Sequence, residues 1–204
     1  MTSKKQSGFT LIELLLAMAF IAFLLLFSVG AIWQIMRLYA KGAAIGQINQ
    51  SGRQVVESMS RSMRFASPVT SSNNRLCADG VTYVWNVEGQ TKENKFSPLT
   101  GPQDLRLVTL SDPAANYCKD LSTEPIPRDK AKDIIPAGVG VYGLSVKRLG
   151  SSTSFWDISL TIGAAGQDNS PKTNSTSGKL ECAPDNQFCA FGDFETSVYS
   201  SKME

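Results

Sequence analysis

Apolar and polar positions alternate in three different ways along this chain. From Leu14 to Met36 there are 23 residues with no charged side chain, LLLAMAFIAFLLLFSVGAIWQIM, bounded by Glu13 and Arg37. About 20 consecutive apolar residues span a bilayer as a helix, so this run predicts a membrane-crossing helix. Beyond Arg37, Ile45, Ile48, Gly52, Val55, Val56, Met59 and Met63 recur at spacings of three and four. That spacing predicts one apolar stripe on a helix, with Gln47, Arg53, Glu57, Arg61 and Arg64 on the opposite face. Pro68 closes the pattern, and Ser67 before it is biased away from helix. A single helix is therefore expected from Phe9 to about Ala66, on the order of 85 Å long at ~1.5 Å per residue. Gly30, Gly42, Gly46 and Gly52 soften it by up to about 1 kcal/mol each relative to Ala, and are read as small residues at packing contacts.

From Ser67 onward the period changes to two. Val81–Val87 and Leu105–Leu110 read as strands, each ended by turn residues. Val139–Arg148 and Phe155–Ile162 read as a hairpin across Leu149–Ser154, and Phe194–Ser200 as a closing strand. One long helix beside about five strands is an α+β arrangement: a helix, membrane-spanning in its first half, packed on a small, mainly antiparallel β-sheet head. The stretch Ile126–Pro136 reads as an exposed connection, and Gly163–Gly178, GAAGQDNSPKTNSTSG, as a disordered polar loop.

Composition narrows the chemistry. The 204 residues suit one domain rather than two. There is no His, which removes Ser-His-Asp and Cys-His nucleophile pairs and His-ligated zinc or iron. An enzyme would need a carboxylate pair, a Ser-Lys dyad or a cysteine nucleophile, and neither a nucleophile elbow nor a phosphate loop is present. The formal charge of +2 argues against a dedicated nucleic-acid binder. Residues 37–66 carry five basic side chains against Glu57 alone, which reads as a solvated or partner-facing helix side. Beyond Ala66 there are 13 basic and 16 acidic residues, a net charge of −3 that disfavours DNA binding by the head.

Cys77, Cys118, Cys182 and Cys189 all follow the apolar run, and an even count outside the cytoplasm predicts disulfides. Three pairings are possible. Cys182 and Cys189 bracket a short loop that closes locally, and Cys77–Cys118 would then staple the first two strands. No C-x-x-C spacing supports a metal site. Asp168, Asn169, Asp185 and Asn186 offer calcium oxygens without an EF-hand spacing, and Asn174-Ser175-Thr176 matches a glycosylation sequon of low specificity. No cofactor is expected.

The apolar run is too long for a cleaved secretory signal, and no A-x-A-like site follows it. The positive-inside rule leaves its orientation undecided, with Lys4 and Lys5 on one side and Arg37 and Lys41 on the other. The junction itself is more specific. A short basic leader, MTSKKQSG, precedes Phe9-Thr10-Leu11-Ile12-Glu13-Leu14-Leu15. This resembles the class III signal of type IV prepilins and type II secretion pseudopilins, over the first quarter of the chain. The resemblance implies that a prepilin peptidase cuts between Gly8 and Phe9 and that Phe9 is N-methylated. It places Glu13 fifth in the mature chain, where it would pair with the positive N-terminus of a neighbouring subunit in a filament. Removal of the leader takes two lysines from 20 basic residues and leaves 18, equal to the 18 acidic ones.

The length, the helix pattern and the closing strand also resemble J-type minor pseudopilins and related minor pilins. These resemblances imply a division into leader 1–8, membrane helix 9–36, the extracytoplasmic half of that helix 37–66 and a β-rich head 67–204. They imply a minor subunit near the tip of a pilus or secretion pseudopilus, anchored in the inner membrane with its head outside the cytoplasm. Its partners would be other pilins or pseudopilins, the prepilin peptidase, the inner-membrane assembly platform and lipid. A competence-type pilus subunit for DNA uptake is the alternative.

Overall fold

A computed structural model of the chain describes residues 10–66, 68–72, 74–87, 105–119, 126, 130–150, 154–165, 171–174, 179–183, 186, 188 and 189–201. The expected features at Gly8, Phe9, Asp168, Asn169 and Asp185 lie outside the described residues. One helix, α1 (Leu11–Phe65), is followed by strands β1 (Thr70–Ser72), β2 (Arg75–Ala78), β3 (Val81–Trp85) and β4 (Leu107–Ser111). The short helix α2 (Asn116–Lys119) precedes β5 (Lys132–Asp133), β6 (Val139–Arg148), β7 (Phe155–Ala164), β8 (Lys172–Thr173), β9 (Leu180–Glu181) and β10 (Phe191–Tyr199). The chain is α+β: one long N-terminal helix packed on small antiparallel sheets. It divides into two units, Met1–Ala40 and Lys41–Glu204.

From Leu11 onward the first unit is the N-terminal part of α1. Its apolar side chains, from Leu11 to Tyr39, are exposed. Among the described residues no sheet or second helix covers them, and the segment is long and apolar enough to cross a membrane.

The second unit is built on three sheets, in the orders β1-β2-β3-β4-β5, β10-β7-β6 and β8-β9, with every pairing antiparallel. Ile48, Val55, Met59 and Met63 of α1 form the buried stripe that the spacing predicts, joined by Ser51, Gly52 and Ser60. Against it pack Leu76, Tyr83, Trp85 and Leu107 from one sheet and Val141, Ile158, Leu160, Ile162 and Val198 from the other. The five-stranded sheet is covered on its opposite face as well, where Val84, Val108, Leu110 and Ile126 form a second cluster. Burial on both faces explains why β2 is buried at all four positions, its Arg75 included, instead of alternating. The Arg75 guanidinium donates to the Tyr117 carbonyl at 3.1 Å.

Several sequence expectations are corrected here. Within the stretch 126–136, Ile126 and Ile135 are buried and anchor it to the fold, while Lys130, Lys132, Asp133 and Pro136 are exposed as expected. Arg106 pins the segment that follows β5, donating to the carbonyls of Ile135, Pro136 and Val139 and pairing with Asp133 at 3.3 Å. The polar stretch 163–178 is ordered at its described ends. Strand β7 runs on to Ala164, and Lys172–Thr173 pairs with Leu180–Glu181 as β8 and β9. Among the described residues there are ten strands rather than about five, because five of them are four residues or shorter.

Of the helix glycines, only Gly52 meets a neighbour. A Cβ there would lie 2.2 Å from the Phe194 ring, so glycine is what lets β10 approach α1. Gly30, Gly42 and Gly46 have nothing within 4 Å. Tyr83 adds a polar tie, with its hydroxyl 3.1 Å from the Ser58 hydroxyl and 2.9 Å from that of Ser62, one helical turn apart on α1.

Candidate functional site at the start of the apolar helix

The chemistry that the sequence marks out sits at the first turn of α1. Thr10 precedes the first helical residue, and its carbonyl accepts from the Glu13 N–H at 3.1 Å and the Leu14 N–H at 3.3 Å. The Thr10 hydroxyl lies 3.4 Å from Glu13 Oε2, to which it donates. Thr-x-x-Glu is the spacing of a helix N-terminal capping box, in which the third helical residue reaches back over the first turn. The Glu13 carboxylate is therefore held near the positive end of the helix dipole, where a negative charge contributes ~0.3–1 kcal/mol. The sequence reading assigned Glu13 to an intersubunit pair and missed this local role. The signal was the Thr10–Glu13 spacing.

Further along the apolar segment, each polar side chain has an internal partner or lies at the segment's end. Ser28 donates to the Leu24 carbonyl at 2.8 Å, which satisfies its hydroxyl within its own helix. Trp33 lies under the Arg37 guanidinium at 5.6 Å. That pair, with Tyr39 and Lys41 just beyond, forms an aromatic and basic margin of the kind found at a membrane–water boundary. From the sequence, Arg37 marks the end of the uncharged run and one of the basic charges beyond it; its stacking on Trp33 is seen only in the structure.

The cysteines belong to the second unit. Cys182 and Cys189 are joined by a disulfide with 5.6 Å between their Cα atoms. Cys189 is buried and leads directly into β10, so the bridge fixes the start of that strand. Cys77, on β2, is also disulfide-bonded. Cys118 lies on α2, and its side chain is outside the described residues. Among the described residues, no three His, Cys, Asp or Glu side chains converge as metal ligands would.

The family described as "Prokaryotic N-terminal methylation motif" matches residues 3–29, about an eighth of the chain. No curated protein and no solved structure matches the chain. The match supports a subunit of the type IV pilin and pseudopilin kind. Such a motif implies processing by a prepilin peptidase and assembly with other pilins, and pilin-type proteins are structural rather than enzymatic. With the exposed apolar helix, it fits a membrane-anchored pilin.

Proposed function

We propose that this chain is a minor pilin or minor pseudopilin, cut between Gly8 and Phe9, N-methylated on Phe9 and incorporated near the tip of its filament. In this reading residues 1–8 are a leader. Residues 9–36 anchor the subunit in the inner membrane, and 37–66 continue the helix outside it. Residues 67–204 form the head on the extracytoplasmic side. The assembly platform then lifts the subunit from lipid into the filament.

One observation carries the reading most of the way. The apolar side chains from Leu11 to Tyr39 are exposed along all sides of a helix, with nothing among the described residues to bury them. Leaving one such side chain in water costs about 1.5–3 kcal/mol, so the segment requires a bilayer or the helices of neighbouring subunits. The motif at its start supplies both in turn, first membrane insertion and then release of Phe9 as a new terminus for packing. The large head, with its own core and disulfides, supports a minor rather than a major subunit.

Co-expression with a prepilin peptidase tests the processing step. Intact mass should show loss of MTSKKQSG and the addition of one methyl group. Gly8→Val should abolish the cut, because a branched side chain obstructs the peptidase at that position. A Gly8→Val chain cleaved at the same bond as the wild type would contradict the assignment.

A further inference from the structure

Strand β10 ends a sheet, and its outer edge is open. The backbone bonds at its two ends fix which groups face outward. Ala164 N–H donates to the Ala190 carbonyl at 2.8 Å, and Ser200 N–H donates to the Ser154 carbonyl at 2.7 Å. Both pairs lie in the same register as the rest of β10 against β7, where Phe194 faces Leu160 and Val198 faces Trp156. In an antiparallel ladder, hydrogen-bonded pairs alternate. The even-numbered residues from 190 to 200 therefore bond to β7. The N–H and C=O groups of Phe191, Asp193, Glu195, Ser197 and Tyr199 point away from it, and among the described residues no backbone group pairs with them.

The other sheet edges are short or obstructed. Strand β1 has three residues and β5 has two. Strand β6 carries an irregularity between Val141 and Gly143, and the Val141 N–H is taken by the Leu105 carbonyl at 2.7 Å. Strand β10 has nine residues, no proline, no lysine and no bulge. Natural proteins protect an edge by such devices; β10 carries only the charges of Asp193 and Glu195, and a long edge without proline or bulge is a template for a strand that complements those charges.

The surroundings of this edge select what can pair there. A groove of about 490 Å³ runs beside it, lined by Arg53, Val56, Glu57, Ser60 and Arg64 of α1 and by Asp193, Phe194, Glu195 and Thr196 of β10. Asp193 and Glu195, two residues apart on β10, are exposed at the rim of this groove; Asp193 accepts from the Thr161 hydroxyl at 2.5 Å, and among the described residues neither carboxylate forms an ion pair. We propose that the β10 edge is a docking site for an extended segment of a partner protein, which adds as a fourth strand to the sheet β10-β7-β6. Its side chains would alternate between small apolar residues over Val56 and Ser60 and basic residues opposite Asp193 and Glu195. Cross-strand opposite charges favour this register, and like charges directly opposite disfavour the reverse one.

The site does not depend on the filament assignment, so it is tested on the full chain in a non-ionic detergent. The probe is the peptide acetyl-Val-Lys-Val-Lys-Val-Lys-Val-amide, with the Val/Glu alternation as its counterpart. Binding of the lysine peptide should slow hydrogen exchange at the amides of 193, 195 and 197. Proline is accepted on an edge strand where its missing N–H faces solvent, so Ser197→Pro should keep the fold and weaken binding at least tenfold. Glu195→Lys should reverse the preference, weakening the lysine peptide at least tenfold and admitting the glutamate peptide. The charge-reversed variant reads the site even if the proline variant fails to fold. Lysine-peptide binding without protection at 193, 195 and 197, absence of binding, or Glu195→Lys binding both peptides as the wild type does would overturn the proposal.

Discussion

Glu13 has a local role seen in the structure and a proposed one in the filament. Within the chain it closes the first turn of α1 with Thr10. Within a filament, its charge would pair with the methylated terminus of a neighbour. The two roles separate by substitution. Glu13→Gln keeps a side chain able to accept from Thr10 and satisfies the capping-box pattern, but it carries no charge. Glu13→Ala loses both. If the intersubunit charge matters, both variants should insert and be cleaved normally, and both should be depleted in sheared filaments relative to the membrane fraction, by several-fold. If the local cap is the whole role, Glu13→Gln should incorporate like the wild type and only Glu13→Ala should be depleted. Quantitative immunoblotting of the two fractions reads the difference. The position of Glu13 was legible from the leader junction. Its contact with Thr10 was equally available in the spacing, but the resemblance drew attention to a partner outside the chain.

At the level of elements, α1 meets the sheet most closely at Gly52, and this gives a contrast between two glycines of one helix. Gly46→Ala places a methyl group in open space and should stabilise the isolated subunit by up to about 1 kcal/mol. Gly52→Ala drives a methyl group into the Phe194 ring, and overpacking of this kind costs ~1–3 kcal/mol. Gly52→Ala should therefore lower stability despite the better helix propensity, and a cycle with Phe194→Ala should return a coupling of at least ~1 kcal/mol. Denaturant titration of the full chain in detergent, followed by tryptophan fluorescence, measures both. Additive effects in the cycle would show that β10 does not rest on Gly52. The long elements were readable because periodicity accumulates over many residues: α1, β3, β4, the β6–β7 hairpin and β10 all stand near their expected places. The short strands were not. In β2, Arg75 and Cys77 occupy buried positions, so no alternation marks the strand. Its turn into β3 was nevertheless signalled by Asp79-Gly80, both with positive φ, 51° and 69°, as a two-residue hairpin turn requires. Burial of Ile126 and Ile135 was hidden by the lysines and prolines around them, since a sequence window does not show which groups Arg106 reaches across the fold.

On the scale of the whole molecule, the chain joins a head that buries its own core to an apolar helix that buries nothing. In the second unit, two sheets and the C-terminal half of α1 close around Met59, Leu160 and Tyr83. The helix from Leu11 onward is long and apolar enough to cross a membrane, and in the proposed reading it passes from lipid to the neighbours' helices. That apolar length, together with the match at residues 3–29, is the basis for reading the protein as a filament subunit. The most direct test is intact-mass analysis of this chain in filaments sheared from cells that express the complete assembly system. The account predicts a small but reproducible amount of chain there, beginning at a methylated Phe9, while Gly8→Val remains in the membrane fraction at full length. Recovery of the processed wild-type chain in the membrane fraction alone, with none in the sheared filaments, would contradict it.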